Sequence, residues 1–197
     1  MKQLLIASGN PGKIHEIHAL LADMPFELVI PSQLGIHLKV VEDGDTYAEN
    51  AARKALPFAQ ASGLYSLADD SGLEVDVLGG LPGLHSARFS PLSEATDADR
   101  RTLLLKMLAN QPRPWRAKFH CTVAIASPQG EVQYAHGECH GEIISHERGL
   151  GGFGYDPIFL IPELGKTMAE LSMKEKNQFS HRSRAVITAK PILESLF

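Results

Sequence analysis

Two carboxylates stand side by side at Asp69 and Asp70, between a short apolar run and the Ser71-Gly72 pair. Paired acids where a strand leaves a sheet suit Mg²⁺, a hard cation that takes oxygen ligands and keeps several waters. Such an ion would also offset repulsion between the acids and an anionic substrate. Neighbouring side chains on an extended chain point to opposite sides, whereas on a turn they can converge. Asp-Asp-Ser-Gly is also good turn chemistry, so the pair alone leaves an Asx-turn and a metal site both open. Glu42 and Asp43, before Gly44, are two further acids that would either join a metal site or stay on the surface.

Three more segments carry the residue types of a binding site. Ser8-Gly9-Asn10-Pro11-Gly12-Lys13 joins an apolar run to a helical pattern. Its glycines allow close approach of an anion, the helix start offers free N–H groups, and Lys13 adds positive charge. It is not a Walker A loop, because only Asn10 and Pro11 separate Gly9 from Gly12 and Ile14 follows the lysine. A plain strand-to-helix turn is the competing reading. Gly149 to Pro157 places Phe153 among glycines ahead of Asp156. Phe153 could stack on a nucleobase, and because stacking tolerates any base, hydrogen bonds to Asp156 would have to supply base choice. The alternative is a glycine-rich hairpin with a buried aromatic plug. Lys174 to Arg182 brings Lys176, His181 and Arg182 to a helix junction at Ser180, a plausible N-cap. These donors suit phosphate or base carbonyls, or else form a solvated face.

Zinc is disfavoured. His120 and Cys121 are adjacent on a strand pattern, as are Cys139 and His140, so each pair should face opposite ways. No GxSxG elbow or Ser-His-Asp arrangement stands out.

The elements that must position these residues follow from periodicity. Gln3–Ala7 and Phe26–Ile30 read as strands, with a helix between them from Pro11–Lys13 onward. Thr46 to Ala61 reads as a helix, with Thr46 as N-cap, Glu49 as capping-box partner and Pro57 expected to kink or shorten it. Tyr65–Ala68 and Leu73–Leu78 read as separate strands flanking the acidic pair. Pro82–Ser93 reads as irregular, and Thr96–Leu108 as a helix with a stripe at Leu103, Leu104, Met107 and Leu108. Phe119–Ile125 alternates as a half-buried strand, turns at Ser127–Gly130 and returns over Glu131–His140. A strand near Ile158–Ile161 precedes a helical tail from Met168, interrupted near Ser180 and at Pro191. Interleaved helices and strands with a clear hairpin point to an α/β (α+β) mixed sheet rather than a pure parallel one.

Bulk composition narrows the class. The chain's 197 residues suffice for one domain or two small lobes. A net charge of −4 argues against a polyanion-coating protein, so an anionic ligand needs a local basic cluster or a metal. Two cysteines without a CxxC pair fit a reducing cytoplasm rather than a disulfide framework. The N-terminal apolar run is too short for an export signal or a membrane span.

In this order, the segments resemble the inosine triphosphate or dITP/XTP pyrophosphatases. The matching stretches are SGNPGK, Glu42 with Thr46-Tyr47-Ala48-Glu49-Asn50-Ala51, ADDSGLEVDVLGGLPGLHSAR, GGFGYDPIF and SHR. They run from Ser8 to Arg182, nearly the whole chain. The resemblance implies a long, twisted mixed sheet flanked by helices, in a single domain whose two lobes frame a nucleotide cleft. It implies a cytoplasmic homodimer that hydrolyses ITP, dITP and XTP between the α- and β-phosphates with Mg²⁺, cleansing the nucleotide pool. No nucleic-acid or membrane partner is implied.

Carried residue by residue, Ser8, Gly9, Asn10, Pro11, Gly12 and Lys13 match the phosphate loop. Asp70 matches the proton acceptor and metal ligand, with Ser71 on the substrate and Asp69 and Glu42 as acidic support for the metal. Phe153, Gly154, Tyr155 and Asp156 match the nucleoside pocket. Lys54, Lys176, His181 and Arg182 match further substrate contacts, and His181 or Arg182 would donate to the 6-oxo group of the base. The competing classes are a pyrophosphatase for other modified nucleotides, and a nucleotide sensor on the same fold.

Overall fold

A run of apolar residues on both faces is what a central strand requires, and Leu4, Leu5 and Ile6 have no exposed surface at all. They form β1 (Gln3–Ile6), which pairs in parallel with β2 (Glu27–Val29) on one edge and β3 (Tyr65–Val75) on the other. Residues 2–197 are described by this computed structural model. The remaining strands are β4 (Trp115–Ala126), β5 (Val132–Ile143), β6 (Phe159–Ile161) and β7 (Lys166–Thr167). They complete one seven-stranded sheet in the order β2-β1-β3-β4-β5-β6-β7, with β6 antiparallel to β5 and β7. The sheet is therefore mixed, as the interleaved pattern requires.

The chain divides into two units. The first comprises Met1–Asp70, Cys121–Gly137 and His181–Phe197. Here helix α1 (Pro11–Leu20) packs Ile17 and Leu20 with Ala185, Val186, Ala189 and Leu193 of the C-terminal helix, over Leu4, Ile6, Leu67 and Val123. Helix α2 (Tyr47–Ser62) packs Ala51, Ala55, Phe58 and Ala59 with Leu5, Ala7, Ala68 and Ala124. The second unit comprises Ser71–His120 and Glu138–Ser180. Its core joins Leu104 and Leu108 of α3 (Asp97–Leu108) with Leu73, Val75, Trp115, Phe119, Ile158 and Phe159. Helix α4 (Met173–Phe179) also belongs to it, and α5 (His181–Leu196) returns the chain to the first unit.

Several sequence expectations are corrected. The two strands expected around the acidic pair are one continuous eleven-residue strand, β3, and Asp76–Leu78 is a 3-10 turn. Ser71 and Gly72 are turn formers, but the residues before them, Ser66–Asp70, are buried and the ladder carries straight through. Pro57 lies inside α2 and Pro191 inside α5, and neither ends its helix. A proline costs a backbone bond; here the buried apolar faces on both sides of each proline outweigh that cost. Thr46 caps α2 through its Oγ1, but Glu49 reaches past it to accept from the Asp45 N–H at 2.8 Å. On α3, Met107 is exposed and Leu105 packs on the core with Leu104 and Leu108. Gly83–Arg88 forms a 3-10 helix within the segment read as irregular. Ser180 closes α4, its N–H donating to the Lys176 carbonyl at 2.9 Å, and stands directly before α5 in the position expected of an N-cap.

Gly137 on β5 shows how tightly α5 is seated. A Cβ there would fall on the His181 carbonyl and the Ala185 N–H. Overpacking of this kind typically costs ~1–3 kcal/mol. Gly137→Ala should therefore lower the urea midpoint accordingly, with an unchanged denaturant slope.

Candidate functional site

Because β3 stays extended through the acidic pair, Asp69 and Asp70 project to opposite sides and enter two different charge clusters, both in the first unit. Asp69 is 2% exposed. Its Oδ2 lies 3.0 Å from Lys13 Nζ and accepts from Arg182 Nε and Nη2, each at 3.1 Å. Arg182, 1% exposed, turns its remaining nitrogen Nη1 to Glu16. A buried chain of alternating charge results: Lys13, Asp69, Arg182, Glu16. Burial by itself would raise Asp69's proton affinity, but the charges of Lys13, Arg182 and Lys54 outweigh it and hold the carboxyl below the usual carboxylate range. Arg182 is likewise held firmly protonated: burial works against its charge, and Asp69 and Glu16 more than compensate.

Asp70 faces the second cluster. Lys54 Nζ, from α2, lies 3.3 Å from Asp70 Oδ1 and 2.8 Å from Glu42 Oε2. Burial is the largest influence on Asp70 and raises its proton affinity; Lys54 and Lys13 oppose it, while Glu42 and Asp69 add to it. The same carboxylates overcome the burial of Lys54 and keep it protonated. Glu42 is brought here by the turn that follows it. Asn50 Oδ1 accepts from the Gly44 N–H, and a Cβ on Gly44 would press on Glu49 and Asn50. This is a physical reason for the Glu42…Thr46–Asn50 spacing.

The first loop supplies α1's cap. Asn10 Oδ1 accepts from Lys13 N at 3.1 Å, and Ser8 Oγ accepts from Asn10 N at 3.2 Å. Gly9 has an ordinary φ, and a Cβ there would meet nothing within 4 Å. The fold does not itself demand glycine at this position.

In the second unit the glycine-rich loop surrounds a buried pair. Lys176 Nζ lies 2.6 Å from Asp156 Oδ2, which also accepts from Phe153 N at 3.0 Å. Lys176 lies 5.0 Å from the centre of the Phe153 ring. A Cβ on Gly152 would fall on the Asp156 carboxylate. Tyr155 is 4% exposed, and its hydroxyl donates to the Ser86 carbonyl at 2.9 Å.

Some of the expected site residues have partners within the protein. Arg182, expected to donate to a base, has its guanidinium buried and bonded to Asp69 and Glu16. Tyr155, expected in a nucleoside pocket, spends its hydroxyl on backbone. Asp69, expected as acidic support for a metal, gives Oδ2 to two cations, although its buried Oδ1 has no hydrogen-bond partner among the described residues. His181 is buried at the start of α5, and Ser71 follows Asp70 within β3. Glu16 was missed. Its signal is a charge four residues before Leu20, on the same face of α1 as that buried leucine.

A divalent metal can be tested against these donors. Among the described residues no cluster of three or more His, Cys, Asp or Glu side chains forms a ready metal cage. Asp70 and Glu42 nonetheless converge on one ammonium group, and their mutual repulsion is what a divalent cation would relieve. Mg²⁺ is commonly held by one or two carboxylates, with substrate oxygens and water completing its shell. The donor set fits that mode.

Among the described residues no helix is long and apolar enough to cross a membrane. A family model described as the Ham1 family matches residues 4–192. A dITP/XTP pyrophosphatase of Desulforamulus reducens is 43% identical over 196 residues, covering 99% of this chain and 97% of its own. One from Geobacter sulfurreducens is 44% identical over 190 residues, covering 96% of each chain. The solved structure of a HAM1 protein from Coxiella burnetii superposes with a TM-score of 0.89 at 37% identity, covering 99% of this chain and all of that one. With the family model spanning nearly every residue and relatives this similar along their full length, the chain belongs to the Ham1 family.

Proposed function

We propose that the protein hydrolyses ITP, dITP and XTP to the monophosphate and pyrophosphate, removing deaminated purines from the nucleotide pool. The observation that carries this reading is the buried Asp70 sharing Lys54 with Glu42. It is a buried carboxylate beside a lysine, within a chain whose relatives are named dITP/XTP pyrophosphatases. Asp70 and Glu42 would hold Mg²⁺, and Asp69, on the other side of β3, would support the site through its charge; the ion would supply charge neutralisation at the phosphates. Ser8–Lys13 and Lys54 bind the triphosphate, with Ser71 beside it. Asp70 orients a water and accepts its proton as the water oxygen bonds to the α-phosphorus. The bridging oxygen leaves with pyrophosphate. Phe153 stacks on the base, Gly154 lets it approach, and Lys176 and His181 donate to its carbonyl oxygens. Asp156 fixes Lys176 and the Phe153 backbone, Tyr155 anchors the loop, and Arg182 holds Asp69 and, through it, Lys13. Most of the rate gain in such chemistry comes from positioning and charge stabilisation.

A panel of ITP, XTP, GTP and dUTP with Mg²⁺, scored for pyrophosphate against orthophosphate, tests the reading. Pyrophosphate from ITP and XTP, lost on chelation, is expected. Orthophosphate alone would place the cleavage at another bond. Preference for dUTP would indicate a different substrate class, and tight binding without turnover would indicate a sensor. A cytoplasmic homodimer belongs to the same reading, and sedimentation tests its stoichiometry.

A further inference from the structure

The glycine-rich loop of the second unit is held from outside as well as from within. Asp97 Oδ2 accepts from the Gly154 N–H at 2.8 Å, and Arg101 Nη1 donates to the Gly154 carbonyl at 2.7 Å. Both come from the first turns of α3, four residues apart, so one helix face presents the acceptor and the donor together. Each is itself fixed. Arg100 Nη1 donates to Asp97 Oδ1 at 2.7 Å, and Arg101 gives Nε and Nη2 to the Glu147 carboxylate at 2.8 and 3.1 Å. The Arg101 side chain is nearly buried.

Gly154 sits in the left-handed region, φ +62°, yet a Cβ there would meet nothing within 4 Å. No close packing surrounds its Cα, and the bonds to its N–H and carbonyl hold the residue on both sides. Gly154 also joins Phe153 to Tyr155. A rotation at this residue would turn the Phe153 ring away from Lys176 and pull the Phe153 N–H from Asp156. A bond between a charged group and backbone is stronger and more directional than a neutral one, so two of them on one residue form an effective clamp.

We propose that Asp97 and Arg101 are positioning residues for base recognition, clamping Gly154 so that Phe153 and the Asp156–Lys176 pair are held ready for the purine. This rests on the assignment of the base to the glycine-rich loop. Neither residue touches the nucleotide; both act through the backbone.

The test is a double-mutant cycle between Arg101→Met and Phe153→Ala, measured on the full chain with ITP and Mg²⁺. Arg101→Met should raise KM by about tenfold with kcat within about twofold, the signature of lost binding that is uniform along the reaction path. The double variant should be no worse than Phe153→Ala alone, because the clamp acts through that ring. Arg101→Lys should not rescue, since an ammonium group cannot hold Glu147 and Gly154 with one fork. Additive losses, a fall in kcat at unchanged KM, or a lower Tm with unchanged KM would each overturn the proposal. If Phe153→Ala itself leaves KM unchanged, the base assignment fails. If Phe153→Ala raises KM and Arg101→Met does not, only the clamp fails. Should Arg101→Met not fold, Asp97→Ala, at the more exposed partner, enters the same cycle with the same criteria.

Discussion

Asp70→Asn should lose about a thousandfold in kcat for ITP while still binding the nucleotide and losing no thermal stability. Asparagine keeps the shape of the side chain but removes the negative charge that faces Lys54 and, in the proposed chemistry, orients the attacking water. The phosphate loop, Lys54 and the glycine-rich loop all remain, so ground-state binding survives, measurable by titration calorimetry with the inactive variant. The stability half of the expectation comes from electrostatics. Burial, reinforced by Glu42 and Asp69, raises the Asp70 proton affinity against the pull of Lys54 and Lys13. A carboxyl whose folded proton affinity exceeds its unfolded one is destabilising once the pH is high enough to ionise it. At neutral pH and without divalent metal, replacing it by a neutral isostere should leave Tm equal or higher. Activity is then lost without loss of fold, as expected where a site keeps a charge that the fold disfavours. Near-normal turnover would remove Asp70 from the chemistry. A Tm several degrees lower would mean that its charge is structural after all.

The segments proposed to carry this chemistry stand out in the sequence because each has an unusual local composition. Turn formers with a lysine, paired acids, glycines around an aromatic, and a late basic run are all visible without a structure. The mixed sheet was also legible, from the alternation of Phe119–Ile125 and the hairpin turn after it. What was not legible depended on burial and on partners distant in sequence. Ser71 and Gly72 argue for a turn, yet β3 runs through them, so the adjacent aspartates diverge. Pro57 and Pro191 argue for helix ends, yet buried alanines, Phe58 and Leu193 hold both helices together. Arg182 reads as a substrate donor from a run of donors at a helix junction, and nothing in that run shows that its guanidinium is buried. Its partners, Glu16 and Asp69, lie 166 and 113 residues away. Nothing in the sequence singles out Arg101, because its contacts with Glu147 and Gly154 span about fifty residues.

The contrast between the two aspartates can be made into a measurement, because Asp69→Asn should do the reverse of Asp70→Asn. Asp69 Oδ2 is the shared acceptor for Lys13 and Arg182, and neutralising it takes away a carboxylate that both the buried Arg182 and Lys13 are paired with. Breaking a buried ion pair by removing one partner costs ~3–5 kcal/mol, because the surviving charge cannot regain its hydration. The urea midpoint at pH 7 should fall accordingly. The pH dependence supplies an independent sign. Despite its burial, Asp69 is held below the ordinary aspartate value of 3.8 by Lys13, Arg182 and Lys54. Its contribution to stability is thus complete above that value and is lost as the pH falls through the lower, folded value. Wild-type protein should weaken steeply below about pH 4, and Asp69→Asn should show a flatter slope there, the two curves converging in acid. Parallel curves would mean that Asp69 is not the group being titrated. Arg182→Met provides the complementary case: it strands Glu16 and Asp69 as buried acids, so its deficit should be greatest at neutral pH and shrink as those acids take up protons. Opposite effects of neutralising two adjacent residues on stability, a loss at Asp69 and none at Asp70, would follow from one geometric fact, that β3 does not turn between them.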